Sequence, residues 1–199
     1  MNSRVLQIFC NFAENYIIFV MNIVKIKDKN FKISIPEVEI KSRVKALALQ
    51  MSKDLEGKNP LFLGVLNGSY IFAADLMREM TIPCEISFVK LASYQGTIST
   101  GSIKEVIGIN EDLAGRHIVI VEDIVDTGRT IKQMIESLGT RNPASVQICS
   151  LFLKPDKLKE PIHVDYVAFS IPDDFIVGYG LDYDQGGRQL RDIYTIVEE

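Results

Sequence analysis

A chain of 199 residues, 47% apolar and 24% charged, is long enough for one α/β domain with a sizeable core and leaves no room for a second large one. The lack of Ser-, Pro- or Gln-rich tracts argues against disorder away from the ends, and a formal charge of -4 argues against a nucleic-acid partner. Three cysteines, Cys10, Cys84 and Cys149, are odd in number and form no CxxC pair, so neither a disulfide framework nor a zinc site is indicated.

Taken in order, the first twenty residues run into an apolar stretch from Tyr16 to Val24, broken by Asn22 and too short to span a bilayer. No small-residue cleavage motif follows it, so a signal peptide is not expected, and residues 1–20 read as a non-essential extension, or as the product of an upstream start codon, ahead of a single domain over 21–199. With unpaired cysteines, this points to a cytoplasmic protein without membrane contact. Ser34 and Pro36 are expected to open a helix whose apolar stripe is Ile40, Val44, Leu47, Ala48, Met51 and Leu55, closed by Gly57. Leu61 to Leu66 predicts a buried strand, followed by the turn Asn67-Gly68-Ser69-Tyr70 and a helix from about Ile71. Gly68 and Ser69 at that helix start could form an anion site or an ordinary turn.

Cys84 to Ala92 predicts a strand, and the small polar residues from Ser93 to Ser102 predict a mobile loop or a linker. Asp112 to Gly115 forms a turn into Ile118 to Val121, a β-branched run suited to a strand buried on both faces of a parallel sheet. That run ends in Glu122 and Asp123; Asp126, Thr127 and Gly128 follow, and Ile131, Met134, Ile135 and Leu138 lie on one face of a helix ended by Gly139. Ser145 to Leu153 predicts a further strand ending at Lys154, and Val164 to Phe169 another. His117 and His163 have no metal-ligand spacing and read as surface or packing residues. The alternation of strands and helices makes the fold class α/β, with a mainly parallel sheet flanked by helices.

The junction from Ile118 to Thr130 carries the chemistry. Loop amides and the free N–H groups of a first helical turn converge there on one spot, fit for a phosphate, and Thr127 and Thr130 add hydroxyl donors. Two carboxylates beside a phosphate make sense if the ligand also carries sugar hydroxyls or a divalent cation, and Mg2+ is the cation suited to oxygen ligands and phosphates.

Apolar strand, Glu122-Asp123, two apolar residues, then Asp126-Thr127-Gly128-Arg129-Thr130 closely resembles the signature of the type I phosphoribosyltransferases, which bind 5-phosphoribosyl-1-pyrophosphate (PRPP). The resemblance implies their fold, with a small hood built from the N- and C-terminal segments. It also implies that Glu122 to Thr130, Arg129 included, hold the ribose and its 5'-phosphate. Leu66, Gly68 and Ser69 match the pyrophosphate loop of the hypoxanthine-guanine enzymes, whose peptide before the second residue is cis; Asn67 departs from the usual Lys or Arg. Ser93 and Tyr94 match the flexible loop that closes over PRPP. The segment Pro172 to Tyr183 with Arg188 resembles the part that covers the purine. There Phe175 stacks on the base, the backbone of Ile176 reads its edge, and Lys154 bonds the exocyclic oxygen. Asp182 lies near a magnesium-bound water and the purine 2-position, and Arg188 reaches pyrophosphate. Asp174 stands where relatives can carry a lysine.

Implied, then, is transfer of the phosphoribosyl group from PRPP to hypoxanthine, and to guanine, in purine salvage. Glu122, Asp123 and Asp182 are placed around Mg2+, and Asp126 is the general base at the purine N7. Relatives form homodimers or homotetramers. The same fold also hosts PRPP- or nucleotide-sensing regulators that bind RNA or DNA, so fold by itself does not decide between enzyme and regulator. The full catalytic set and the base-covering segment favour the enzyme.

Overall fold

The computed structural model describes residues 23–92 and 104–197, and divides into two compact units. The larger is Val38–Asp173; the smaller gathers the described residues up to Glu37 and from Asp174 onward. Residues 1–20, with Cys10, and the loop residues Ser93 and Tyr94 lie outside the described residues.

In the larger unit the chain alternates helix α1 (Glu37–Asp54), strand β3 (Leu61–Leu66), α2 (Tyr70–Glu79), β4 (Glu85–Ala92), β5 (Lys104–Ile107), β6 (His117–Val125), α3 (Arg129–Gly139), β7 (Ser145–Leu153) and β8 (Tyr166–Ser170). The strands β1 (Ile23–Ile26) and β2 (Lys29–Ile35) precede these, and β9 (Ile176–Val177) and β10 (Ile193–Ile196) follow. The main sheet has the order β5-β4-β3-β6-β7-β8, parallel from β4 to β8 with β5 antiparallel at the edge. Both faces of its central strands are covered: Leu61, Phe62 and Leu63 of β3 and Ile118 to Val121 of β6 are fully or almost fully buried. One core cluster joins Leu61, Leu63, Ile118 and Ile120 to Ile131, Met134 and Leu138, the apolar face of α3. The stripe on α1 is buried as its periodicity requires, from Ile40 to Leu55.

The order of strands places the chemistry. From β3 the chain steps outward to β4 on one side, whereas β6 leads to β7 and β8 on the other, so the sheet reverses direction of winding between β3 and β6. In open α/β sheets the crevice beyond the C-terminal ends of strands at such a switch point is where ligands bind. Leu66 to Ser69 leave the end of β3, and the Asp126 turn leaves the end of β6.

Three boundaries differ from expectation. Strand β6 does not stop at Val121 but continues to Val125, because Glu122, Ile124 and Val125 remain in parallel register with Ser150, Phe152 and Leu153 of β7. The ladder keeps both acids inside the strand. Helix α1 starts at Glu37, since Ser34 belongs to β2, where its hydroxyl donates to the Ile193 carbonyl at 3.2 Å. Strand β8 begins at Tyr166 rather than Val164.

The smaller unit is an antiparallel sheet, β1-β2-β10-β9. Its core is Phe31, fully buried, with Ile26 and Val177, against which Tyr183, Leu190 and Tyr194 pack. No helix among the described residues is long and apolar enough to cross a membrane.

Candidate functional site

The acids at the end of β6 sit in two different environments. Glu122 is buried, and burial first, then the neighbouring charge of Asp123, pushes its carboxyl well above the usual range. Asp123 is half-buried, and its Oδ1 accepts the N–H of Ile124 at 2.9 Å. Two adjacent carboxylates of which one resists ionisation form a donor set that a divalent cation would stabilise. Among the described residues no three His, Cys, Asp or Glu side chains converge into a metal-holding group. Mg2+ is a cation that keeps waters and binds through one or two carboxylates together with substrate phosphates, so Glu122 and Asp123 are the residues that could hold it.

At the end of β3 the expected loop lies directly beside these acids. The Leu66–Asn67 peptide is cis, as the resemblance implies. A Cβ on Gly68 would fall on the Asp123 carboxylate, so only glycine lets the loop and the diacid approach as they do. Asn67 is exposed, whereas Ser69 is buried and turns its hydroxyl inward to donate to the Val65 carbonyl at 2.7 Å.

Beyond Val125 the chain turns through Asp126 and Thr127 into α3, whose N-cap Gly128 has φ +79, a conformation that other residues adopt only at a cost. Its hydrogens also leave space for Ile162, whose Cδ1 would stand 2.8 Å from a Cβ there. Glycine is therefore needed for packing as well as for access to a ligand. Arg129 and Thr130 open the helix and are exposed. Helix α3 carries no acidic residue in its first turn, so nothing on the helix offsets the positive end of its dipole there.

Asp126 is held asymmetrically. Its Oδ2 pairs with Lys157 Nζ at 3.0 Å, while its buried Oδ1 has no hydrogen-bond partner among the described residues. The strand β7 brings this partner. Lys154 donates its backbone N–H to the Val125 carbonyl at 3.0 Å and Lys159 donates to Thr127 at 3.0 Å, so the segment after β7 is tied to the β6–α3 turn. Between them Pro155–Lys157 makes one 3-10 turn. Lys154 itself is buried, and its ammonium pairs with Asp173 Oδ1 at 2.9 Å. A buried ammonium needs such a partner.

In the smaller unit Phe175 is 46% exposed, too open for a core aromatic. Its ring is nonetheless set by Phe31, 6.3 Å away between centroids, and by Tyr183 in an edge contact at 5.8 Å. Ile176 is buried in β9. Arg188 is pinned from two sides, donating to the Gly180 carbonyl at 2.7 Å and pairing with Asp182 at 2.6 Å. The second Asp182 oxygen accepts the Gln185 N–H at 2.7 Å.

Thus the larger unit brings together Leu66 to Ser69, Glu122 to Thr130 and Lys154, and the smaller one brings together Phe175, Ile176, Asp182 and Arg188. Lys157 and Asp173 escaped sequence reasoning. The available signal was a Lys-x-x-Lys spacing at the C-terminal edge of a parallel sheet.

Comparison with known proteins adds to this geometry. The profile of the phosphoribosyl transferase domain matches residues 36–184. The hypoxanthine phosphoribosyltransferase of Salmonella typhimurium is 40% identical over 169 residues, covering 83% of this chain and 95% of that protein. A hypoxanthine-guanine phosphoribosyltransferase of Streptococcus pneumoniae is also 40% identical, over 84% of this chain and 94% of its own length. Among solved structures, the hypoxanthine-guanine phosphoribosyltransferase of Bacillus anthracis superposes with a TM-score of 0.78 at 36% identity, covering 84% of this chain and 97% of that one.

Proposed function

Since this chain belongs to the phosphoribosyltransferase family, we propose that it transfers the 5-phosphoribosyl group of PRPP to hypoxanthine, and to guanine, releasing pyrophosphate and forming the nucleoside 5'-monophosphate of purine salvage. The observation that carries this reading is Asp126 at the start of a helix, with one oxygen tied to a lysine and the other buried and unpaired. A carboxylate with a free lone pair in a phosphate-binding turn is what proton removal from a purine N7 requires.

Displacement at the anomeric carbon passes through an oxocarbenium-like state, which sets three tasks. The ring hydroxyls must be held, the pyrophosphate must leave, and the purine must lose a proton. Glu122 and Asp123 accept from the ribose hydroxyls, and the amides and hydroxyls of Thr127 to Thr130 hold the 5'-phosphate. Leu66 to Ser69 and Arg188 bind pyrophosphate; Asn67 contributes no positive charge there, which leaves more of that task to backbone donors. Ser93 and Tyr94, outside the described residues, match the family loop whose task would be to exclude water. Glu122 and Asp123, with Asp182, would hold Mg2+, which would supply neutralisation of the leaving charge. Phe175 stacks on the base, Ile176 reads its edge through the backbone, and Lys154 donates to the 6-oxo group. The unit containing Phe175 serves as the hood, residues 1–20 are dispensable, and the protein works as a cytoplasmic homodimer or homotetramer.

The test is direct: the protein is mixed with Mg2+, PRPP and each purine in turn, and nucleotide and pyrophosphate are quantified. Hypoxanthine is expected to be a good substrate and adenine a poor one, because the ammonium of Lys154 would face the 6-amino donor. Comparable efficiency with adenine and hypoxanthine overturns the assignment of Lys154.

A further inference from the structure

Lys154 and Lys157 are three residues apart, the first capping a single 3-10 turn and the second ending it. Both ammonium groups reach the same acceptor. Asp173 Oδ1 lies 2.9 Å from Lys154 Nζ and 2.8 Å from Lys157 Nζ, and Lys157 Nζ lies 3.0 Å from Asp126 Oδ2. Asp173 is brought there by the backbone that follows β8, which is tied to the end of β7 by the Ile171 N–H donating to the Leu153 carbonyl at 2.9 Å. Four charges of alternating sign thus form one chain: Asp126, Lys157, Asp173, Lys154.

We infer that Lys157 is a positioning residue for the reaction proposed above, fixing the proton acceptor Asp126 and, through Asp173, the oxygen-reading Lys154 at a set separation. A single 6-oxopurine then meets both at once, its N7 proton facing the exposed side of the Asp126 carboxylate and its 6-oxo group facing Lys154. The inference rests on that proposed function.

The mechanism is steric and electrostatic. A carboxylate that could rotate would present either oxygen, or neither, to the base; with Oδ1 buried and Oδ2 engaged by Lys157, the carboxylate is locked, and the remaining lone pair of Oδ2 is the one left to accept a proton. An ammonium has three donors, so Lys157 serves both carboxylates without breaking either contact, and Lys154 keeps Asp173 while donating to a ligand. In agreement, Asp173, followed by Asp126, holds the Lys157 ammonium above its ordinary range. Loss of the tie leaves Asp126 present but mispositioned, and displacement of a reacting group by about 1 Å can cost on the order of a hundredfold.

The experiment compares the parent protein with K157M, K157R, D126N and the K157M/D126N double variant, measuring kcat and KM for hypoxanthine and PRPP, with thermal unfolding alongside. K157M is expected to lower kcat roughly ten- to a hundredfold and to leave KM for PRPP within about twofold. K157R, which can still bridge two carboxylates, is expected to recover most of the loss. Because Lys157 acts through Asp126, the double variant is expected to be no slower than D126N. A K157M protein that keeps its kcat while D126N collapses overturns the inference and leaves the proposed function standing. So do losses that add in the double variant, or a K157M defect that K157R does not relieve. A parent protein that forms no nucleotide removes the proposed function and this inference together.

Discussion

Alanine in place of Gly68 tests whether the turn after β3 and the acid pair of β6 form one packed unit. The new methyl group would occupy the position of the Asp123 carboxylate, which must then rotate away. That rotation gives up the 2.9 Å bond from the Ile124 N–H to Asp123 Oδ1. A hydrogen bond to a charged acceptor is worth about 1.5–3 kcal/mol, and partial exposure of Asp123 lowers this to roughly 1–2 kcal/mol. For a chain of this size the loss corresponds to a fall in Tm of about 2 to 8 °C. If the moved carboxylate is the one that holds the ribose, KM for PRPP rises by a comparable free energy, roughly five- to thirtyfold. Differential scanning fluorimetry and initial rates at varied PRPP measure both. Gly139→Ala is the matched control: it ends α3, has open space around it and no positive φ. It is expected to be neutral or to stabilise by about 0.4–1 kcal/mol. A Gly68→Ala protein with parental Tm and parental KM for PRPP would refute the reasoning, because Asp123 could not then be in contact with that loop.

Three further outcomes are expected. Asp126→Asn should lower turnover about a hundred- to ten-thousandfold while PRPP binding, followed by calorimetry, stays close to parental; unchanged turnover removes Asp126 from the role of base. Lys157, and then Lys154, hold the Asp173 carboxyl below its ordinary value of 3.8. A depressed folded-state value means that the stability it lends is present above pH 3.8 and is lost as pH falls through the lower value. Asp173→Asn should therefore flatten the acid limb of the unfolding curve below about pH 4, read by circular dichroism, and superimposable curves would show that the ion pairs do not persist in solution. Burial, and then the charge of Asp165, push the Cys149 thiol well above its ordinary range. Cys149 should resist alkylation in the native protein at pH 8 and react on unfolding, as peptide mass spectrometry would report; native labelling at the rate of a free thiol would contradict its position in β7.

The elements visible in the sequence are those whose burial follows a simple period. The apolar runs of β3, β6 and β7 and the faces of α1 and α3 appear where the pattern puts them, because central parallel strands and amphipathic helices have no alternative placement. The misjudged end of β6 has a physical cause: charged residues suggest a strand terminus, yet backbone pairing with β7 carries Glu122 and Asp123 onward. Strand β2 alternates Phe31, Ile33 and Ile35 with Lys32 and Ser34, but Ser34 and Pro36 also read as a helix start and hid that signal, while β1 is four residues long and β9 two. Of the site, the diacid, Asp126 and Gly128 were legible as a linear pattern. The tie between Asp126 and Lys157 was not, since the Lys-x-x-Lys spacing marks the lysines but not their partners, which depend on a 3-10 turn and on the loop stitching between β6 and β7.

The smaller sheet has a consequence for how the molecule is made. Strand β2 lies near the beginning of the chain, but its hydrogen-bonding neighbour is β10, and Ser34 and Ile193 are 159 positions apart. At ribosomal speeds of about 5 to 20 residues per second, β2 emerges and waits roughly ten to thirty seconds with one edge unsatisfied. The larger unit can meanwhile assemble from segments already extruded. Nascent chains halted just short of β10 should accordingly expose Phe31 to chaperones or proteases, and completion of translation is the event that shelters it.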